Sequence, residues 1–466
     1  MQRFINAIFF AGIVTIVAFA GPVSALEEKL HAQLDELKSA SINSSLSYDI
    51  IESLTTEVGA RMVGTPAERK SVEWAVAKMQ ALGFDKVWIE ESQAPNWQRG
   101  ELEVTLTSPF LHKLVALSLG NSVGTDTKPI ETEVVKFNNL DALKAAEPNS
   151  LTGKIAYVAY SMERKKDGSG YGNAVGARVN GAAIAAEKGA VAYVMRSVGT
   201  DSHRFAHTGV MRYKEEGKQI PALALSNPDA DLLENALKRN KPVTMGIASS
   251  ASGPLNDTVT IANVIGEFTG SEHPDEVVTL GAHLDSWDVG TGAIDDGIGV
   301  GITLAAVHHI ARLKHRPKRT IRVILFAAEE IGLLGAKDYV ARRNGNMDNH
   351  VIGAEWDFGN GTIYKLAPGV GENALLKIKE FAEYLAPLGV EMASTNNAKG
   401  QSDMSELGKA GQPAVNFYPD GSDYFDYHHT ENDTLDKVDT EALKINTAIY
   451  TTFAWYAANS GIDFRK

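Results

Sequence analysis

The sequence predicts an α/β protein: an open, mostly parallel central sheet with helices on both faces, and a second α/β unit inserted into it. Three observations predict this. Beyond residue 257, short apolar strands alternate with helical segments, the order that builds parallel sheets through right-handed crossovers. Between residues 109 and 253 a separate run of strands and helices interrupts that pattern. The composition, 466 residues with 44% hydrophobic and 22% charged, is that of a globular chain rather than a disordered or fibrous one. The expected division is a leader over residues 1–25, a main domain over 26–108 and 254–466, and an insert over 109–253.

The amino terminus reads as an address. Arg3 is the only charge before Glu27, residues 4–20 are apolar, and Val23-Ser24-Ala25 is a small-x-small pattern. This predicts a secretory leader cleaved after Ala25, with no membrane attachment once it is gone. The chain has no cysteine, which excludes disulfides, thiolate nucleophiles and Cys-based metal sites. An exported chain without cysteine suits a bacterial periplasm or exterior. The net charge of −13 gives no electrostatic reason for nucleic acid or an anionic membrane as partner.

Residues 26–58 are amphipathic and read as helical. Val72, Ala75, Val76, Met79 and Leu82 keep helical spacing over residues 67–82, and Gly83 stops that helix. Residues 86–90 and 101–107 read as strands. The insert is expected to hold strands at 154–160, 190–195 and 220–225, with helices at 174–188 and 227–237. The main sheet resumes with a strand at 277–281, a helix at 299–313 and a near-continuous apolar strand at 320–326, the kind covered on both faces. A helix at 331–343, a strand at 351–357 and a helix at 371–388 follow. In such sheets the chemistry gathers at the carboxyl ends of the strands.

Acids and imidazoles stand at three successive strand ends. Gly281-Ala-His283-Leu-Asp285 closes the first, and in extended geometry its His and Asp project to one side. Asp295-Asp296 lies ten residues on, opening a helix. Strand 320–326 runs into Glu329-Glu330, an arrangement that is costly unless the acids are solvated, paired or bound to metal. Strand 351–357 ends in Asp357, and His428-His429 sit in a late acidic, aromatic loop. Each signal alone also fits a surface turn or a solvated loop; it is their coincidence that points to a metal site.

GAHLDSW (281–287) with AIDDG twelve residues on, AAEEIGLLG, EWDFG and HHTENDT resemble the di-zinc aminopeptidase and glutamate carboxypeptidase superfamily, nearest its plasma glutamate carboxypeptidase branch. GARMVGTPAE (59–68) extends the resemblance toward the amino terminus. His207-Thr208-Gly209 and Ile220-Pro221-Ala222 make the insert similar to a protease-associated domain. The resemblance implies an exopeptidase acting on dipeptides or short peptides through a hydroxide shared by two Zn²⁺, with Mn²⁺ or Co²⁺ as substitutes. It implies His283 on one metal, His429 on the other and Asp295 between them, with Glu330 and Asp357 completing one shell each. Asp285 would orient His283, and Glu329 would be the general base. Since a Ser or Thr follows the last ligand in that superfamily, His429 rather than His428 is implied; His428 would then sit beside the metals, where relatives often have a tyrosine that helps stabilise the oxyanion, and it is given no role. Relatives of this kind are often homodimers.

Three other readings stand beside this one: an aminopeptidase of the same family, a single-zinc glutaminyl cyclase-like acyltransferase, and a non-catalytic binding protein. Adjacent His308-His309 point about 100° apart on a helix and read as structural. HExxH and GxSxG are absent. Ser402 and Asp403 stay unassigned, and no residue is placed to receive either end of a peptide.

Overall fold

The computed structural model describes residues 25–125, 128–239, 241–253 and 257–466. Residues 1–24 of the expected leader lie outside the described residues. Among the described residues no helix is long and apolar enough to cross a membrane.

The central sheet has eight strands, in the spatial order Lys86–Pro95, Thr258–Phe268, Arg319–Phe326, His273–His283, His350–Glu355, Ala414–Pro419, Ile363–Gly369 and Glu391–Met392. Its middle is parallel: His273–His283 runs alongside Arg319–Phe326 on one side and His350–Glu355 on the other. Toward the edges the pairing turns antiparallel, through Thr258–Phe268 on one flank and Ile363–Gly369 on the other.

Alternation along Arg319–Phe326 sorts its side chains onto two faces. Ile321, Val323 and Leu325 join the larger core. Ile324 and Phe326 pack with Tyr339, Met404 and Leu407 on the opposite side. Helix Ile298–Ala311 is buried almost all round, because Thr440–Asn459, Leu46–Ser53 and Ala25–Ile42 pack over it. Its sequence is accordingly apolar on every face rather than striped.

The register explains why the acids converge. His283 pairs with Phe326, so Glu329 and Glu330 follow three and four residues past the same level. Gly281 pairs with Glu355, which brings Asp357 level with His283.

A second eight-stranded sheet is built from residues 102–249. Its inner strands Ile130–Phe137, Ile155–Val158, Ala192–Arg196 and Ala222–Leu225 are parallel neighbours. Leu102–Ser108, expected at the end of the main domain, belongs to this sheet instead: it pairs with Thr244–Ser249 along its length. Its alternation buries Val104 and Leu106 in the second core, so the boundary falls before residue 102 rather than after 108.

Candidate metal centre

Asp295 is the hub of the site. Its Oδ1 lies 3.0 Å from His283 Nε2, which is itself 3.4 Å from Asp357 Oδ1. Its Oδ2 lies 3.3 Å from His429 Nε2, which is 3.0 Å from Glu330 Oε2. Two donor triads therefore share one carboxylate, with an oxygen turned to each. The five expected ligands come together from four separate stretches of chain.

Local structure aims each donor. The Asp295 loop is held by Asp433, whose carboxylate accepts the N–H groups of Ile294 (2.7 Å) and Asp295 (3.3 Å). Asp296 accepts the N–H of His283 at 3.1 Å and of Gly299 at 3.1 Å, tying strand end to helix start, and it also groups with His283 and Asp357 as a set that could hold an ion. The histidines are oriented by the same device. His283 Nδ1 donates to the carbonyl of Asp285 (3.0 Å) and His429 Nδ1 to that of Thr208 (3.2 Å). A carbonyl only accepts, so Nδ1 carries the proton and Nε2 is left to a metal.

Asp285 orients His283 by its main chain rather than by the side chain expected. Its carboxylate stands 3.7 Å from Nδ1 and accepts the N–H groups of Glu329 (3.1 Å) and Glu330 (3.3 Å). It thereby sets the turn that presents both glutamates. Glu330 faces His429, while the Glu329 carboxylate makes no hydrogen bond among the described residues and lines a cleft of about 370 Å³. Ser402 donates a hydrogen bond to Asp357.

The charge balance favours cations. Burial, then the neighbouring charge of Asp357, drives Glu329 well above the usual carboxylate range. Glu330, Asp296, Glu355 and Asp403 are raised for the same first reason. Burial opposes protonation of His429, yet Glu330 and Asp295 lift it to about 9. His283 is raised well above its ordinary value against the same opposition, chiefly by Asp357. Without a metal, protons occupy the positions that divalent ions would take. Glu330 Oε1 is buried and has no hydrogen-bond partner. Imidazole and carboxylate donors in this proportion, with a spare buried oxygen, fit a zinc-type pair of ions.

His428 lies within the cluster, beside His429. Its ring stacks on His429 at 3.5 Å between centroids, and its Nε2 lies 3.7 Å from Asp295 Oδ2. Burial, then the His429 charge, holds it well below the ordinary imidazole range, so it sits there neutral. Geometrically, Asp295, His428 and His429 could also hold an ion.

Two further residues escaped sequence reasoning. Arg61 is fully buried and donates to the carbonyls of Leu284 (2.6 Å), Thr291 (2.7 Å), Gly292 (3.0 Å) and Gly59 (3.3 Å), knitting the loop between His283 and Asp295. Arg178, on the insert helix Ser169–Glu187, lines the cleft beside Glu329. Arg61 lies inside the GARMVGTPAE segment, the one signal that could have drawn attention to it. Arg178 sits in an alanine- and glycine-rich helix with nothing in the sequence to single it out.

Residues 263–454 match the profile of Peptidase family M28. Carboxypeptidase Q of Mus musculus is 32% identical over 414 residues, which are 89% of this chain and 86% of that protein. The chain belongs to peptidase family M28. A Peptidase M28 precursor from Shewanella amazonensis SB2B superposes with a TM-score of 0.92 at 46% identity, covering 94% of this chain and 99% of that one. Aminopeptidase YwaD of Bacillus subtilis is 25% identical over 427 residues, 87% of this chain and 84% of that protein. This M28 chain is a metallo-exopeptidase, and its acidic cluster is the part of the fold suited to that chemistry.

Proposed function

We propose that this M28 peptidase is an exported, carboxypeptidase Q-like enzyme that hydrolyses dipeptides and short peptides with two zinc ions per chain. The observation that carries the reading is Asp295, whose two oxygens each face a separate histidine–carboxylate pair. His283 and Asp357 would hold one ion, His429 and Glu330 the other, and Asp295 would bridge them. Bound there, the ions would acidify a water molecule and polarise the scissile carbonyl.

The remaining work falls to the chain's own side chains. Glu329, free of protein hydrogen bonds and open to the cleft, accepts the proton of the attacking water and returns it to the departing amine, a transfer worth roughly 10²–10⁴-fold. Asp285 holds the backbone N–H groups of Glu329 and Glu330, so base and ligand keep their relative placement. The insert packs against the final histidine loop, and its Tyr171, Arg178 and Val210 line the cleft. Cleavage of the leader after Ala25 would deliver the enzyme outside the cytoplasm.

The test is metal content and turnover on one preparation. The expected result is two zinc ions per chain and hydrolysis of unblocked dipeptides. A single zinc with cyclisation of amino-terminal glutamine would replace this reading with the acyltransferase one. Full metal loading with no hydrolysis across a peptide panel would replace it with a binding protein.

A further inference from the structure

The basic turn Lys314-His315-Arg316-Pro317-Lys318-Arg319 joins helix Ile298–Ala311 to strand Arg319–Phe326, and the proposed reaction gives it no task. It borders a cavity of about 490 Å³, whose other walls come from the start of Ala25–Ile42, the residues leading into His273–His283 and the end of Thr440–Asn459. That volume lies within the roughly 300–1,000 Å³ usual for small-molecule sites. The cavity sits where the parallel strands begin, whereas the metal cleft lies past their ends. At about 3.3 Å per residue, the eight residues of Arg319–Phe326 put about 25 Å between the two.

The cavity is basic on an acidic chain. Lys29, Lys314, Arg316 and Lys318 line it, against Glu272 alone among the acids of the described residues. Glu272 pairs with Lys318 at 3.3 Å, and Asp85, outside the cavity, holds both Nη1 and Nη2 of Arg316. Lys29 and Lys314 have no carboxylate partner among the described residues. A surplus of two positive charges therefore stands on a chain of net charge −13. Exposed charges beyond about 8 Å are largely screened at physiological salt, so an arriving anion responds to the surplus rather than to the total. The two lysines are not needed to cap the neighbouring helix, since Arg319 already donates to the Ala457 carbonyl at 3.0 Å.

A second observation points to a ligand. Trp455 lines the same cavity, is 1% exposed, and leaves its indole Nε1 without a hydrogen-bond partner among the described residues. An indole N–H only donates, and buried polar groups are normally satisfied; this one lacks an acceptor. The uncommitted cations are ammonium groups, which bind phosphate as point charges, while the guanidinium fork that suits a planar carboxylate is already occupied. A phosphomonoester carries about −1.5 to −2 at neutral pH, which matches the surplus.

We propose that this cavity binds a phosphomonoester, at a site remote from the metal centre and independent of the di-metal reading. Lys29 and Lys314 supply the charge, and Trp455 supplies a fixed donor.

The zinc-loaded enzyme is titrated calorimetrically with glycerol 3-phosphate, and sedimented with phosphatidylcholine vesicles that contain or lack phosphatidic acid, whose headgroup carries the same monoester. Lys29→Gln with Lys314→Gln should weaken binding about tenfold or more, with zinc content and dipeptide hydrolysis unchanged. Trp455→Phe keeps the ring and deletes the donor, and should weaken binding several-fold; the indole resonance that it removes should shift in wild type during the titration. Lys238→Gln with Lys241→Gln removes the same charge from the insert surface and should alter binding less than about twofold. Binding of glycerol 3-phosphate in solution supports the site with a soluble ester as its ligand. Sedimentation with phosphatidic acid vesicles alone, lost in the Lys29/Lys314 variant, supports it with a lipid headgroup. Failure of both probes to bind overturns it. So does equal affinity in wild type and the Lys29/Lys314 variant, which would put the phosphate on the metals. An equal loss in the insert variant reduces the effect to net charge and overturns it too.

Discussion

Adjacent glutamates with different surroundings should respond differently to the same change. Glu329→Gln leaves every proposed ligand in place and should retain both metals while losing about 10²–10⁴-fold in kcat; metal analysis beside steady-state kinetics checks it. Glu330→Gln weakens a donor facing His429 and should lose one metal, so an unchanged zinc count would remove Glu330 from the ligand set. Arg61 has a purely structural task. Arg61→Leu strands four buried carbonyls and should cost about 3 kcal/mol or more in urea unfolding. The proposed ligands are legible in sequence because His283, Glu330 and Asp357 stand at or just past strand ends and Asp295 and His429 lie in short acidic or histidine-rich motifs that hold their own geometry. Arg61 and Arg178 are not: the first answers to backbone carbonyls more than two hundred residues away, and the second stands in an alanine- and glycine-rich helix that carries no motif.

At the scale of the element, the segment from Tyr424 to Asp433 contributes both the proposed ligand His429 and the clamp on the Asp295 loop. Its acid–base behaviour yields a prediction with a definite sign. Burial, then the Asp295 charge, raises Asp433 from an ordinary 3.8 to about 7. His429 is raised from 6.5 to about 9. Both groups hold a proton more tightly in the fold than in the unfolded chain. The stability this supplies is complete below the unfolded value of each and is lost as pH rises through the folded one. The metal-free protein should therefore lose thermal stability from about pH 4 to about pH 9. A zinc ion on His429 would replace the proton of that imidazole but not that of Asp433, so the gap in melting temperature between zinc-loaded and chelator-treated protein should widen over about pH 6.5–9. A constant gap would show that His429 does not exchange a proton for metal. Periodicity reveals the buried strands here, but not their edge partners. Leu102–Ser108 alternates equally well for either sheet, and only its pairing with Thr244–Ser249 decides.

Across the whole molecule, the two sheets meet at the last histidine loop. Thr208 of the insert donates its N–H to the carbonyl of His429 at 3.1 Å and receives Nδ1–H from the same residue. His207 Nδ1 reaches the carbonyl of His428 at 2.7 Å, with Asp201 behind it at 2.6 Å from Nε2. Arg99 grips Asp288 through Nε and Nη2 and also reaches Thr208. His207→Ala removes the side-chain hold on the His428 carbonyl, one residue before the proposed ligand His429, and should fold yet weaken zinc binding by less than the roughly 10–100-fold that follows loss of an outer hydrogen bond made to a ligand itself; zinc titration against a competing chelator measures it. The inserted unit is visible in sequence as a change of pattern, whereas its grip on the histidine loop is not, because its partners at His428 and His429 are main-chain carbonyls that any residue could supply. The dependence of His429 on Thr208 also has a consequence for biosynthesis. One imidazole joins two chain segments 221 residues apart, so a ribosome-bound fragment cannot become a working protease before the second of them has emerged.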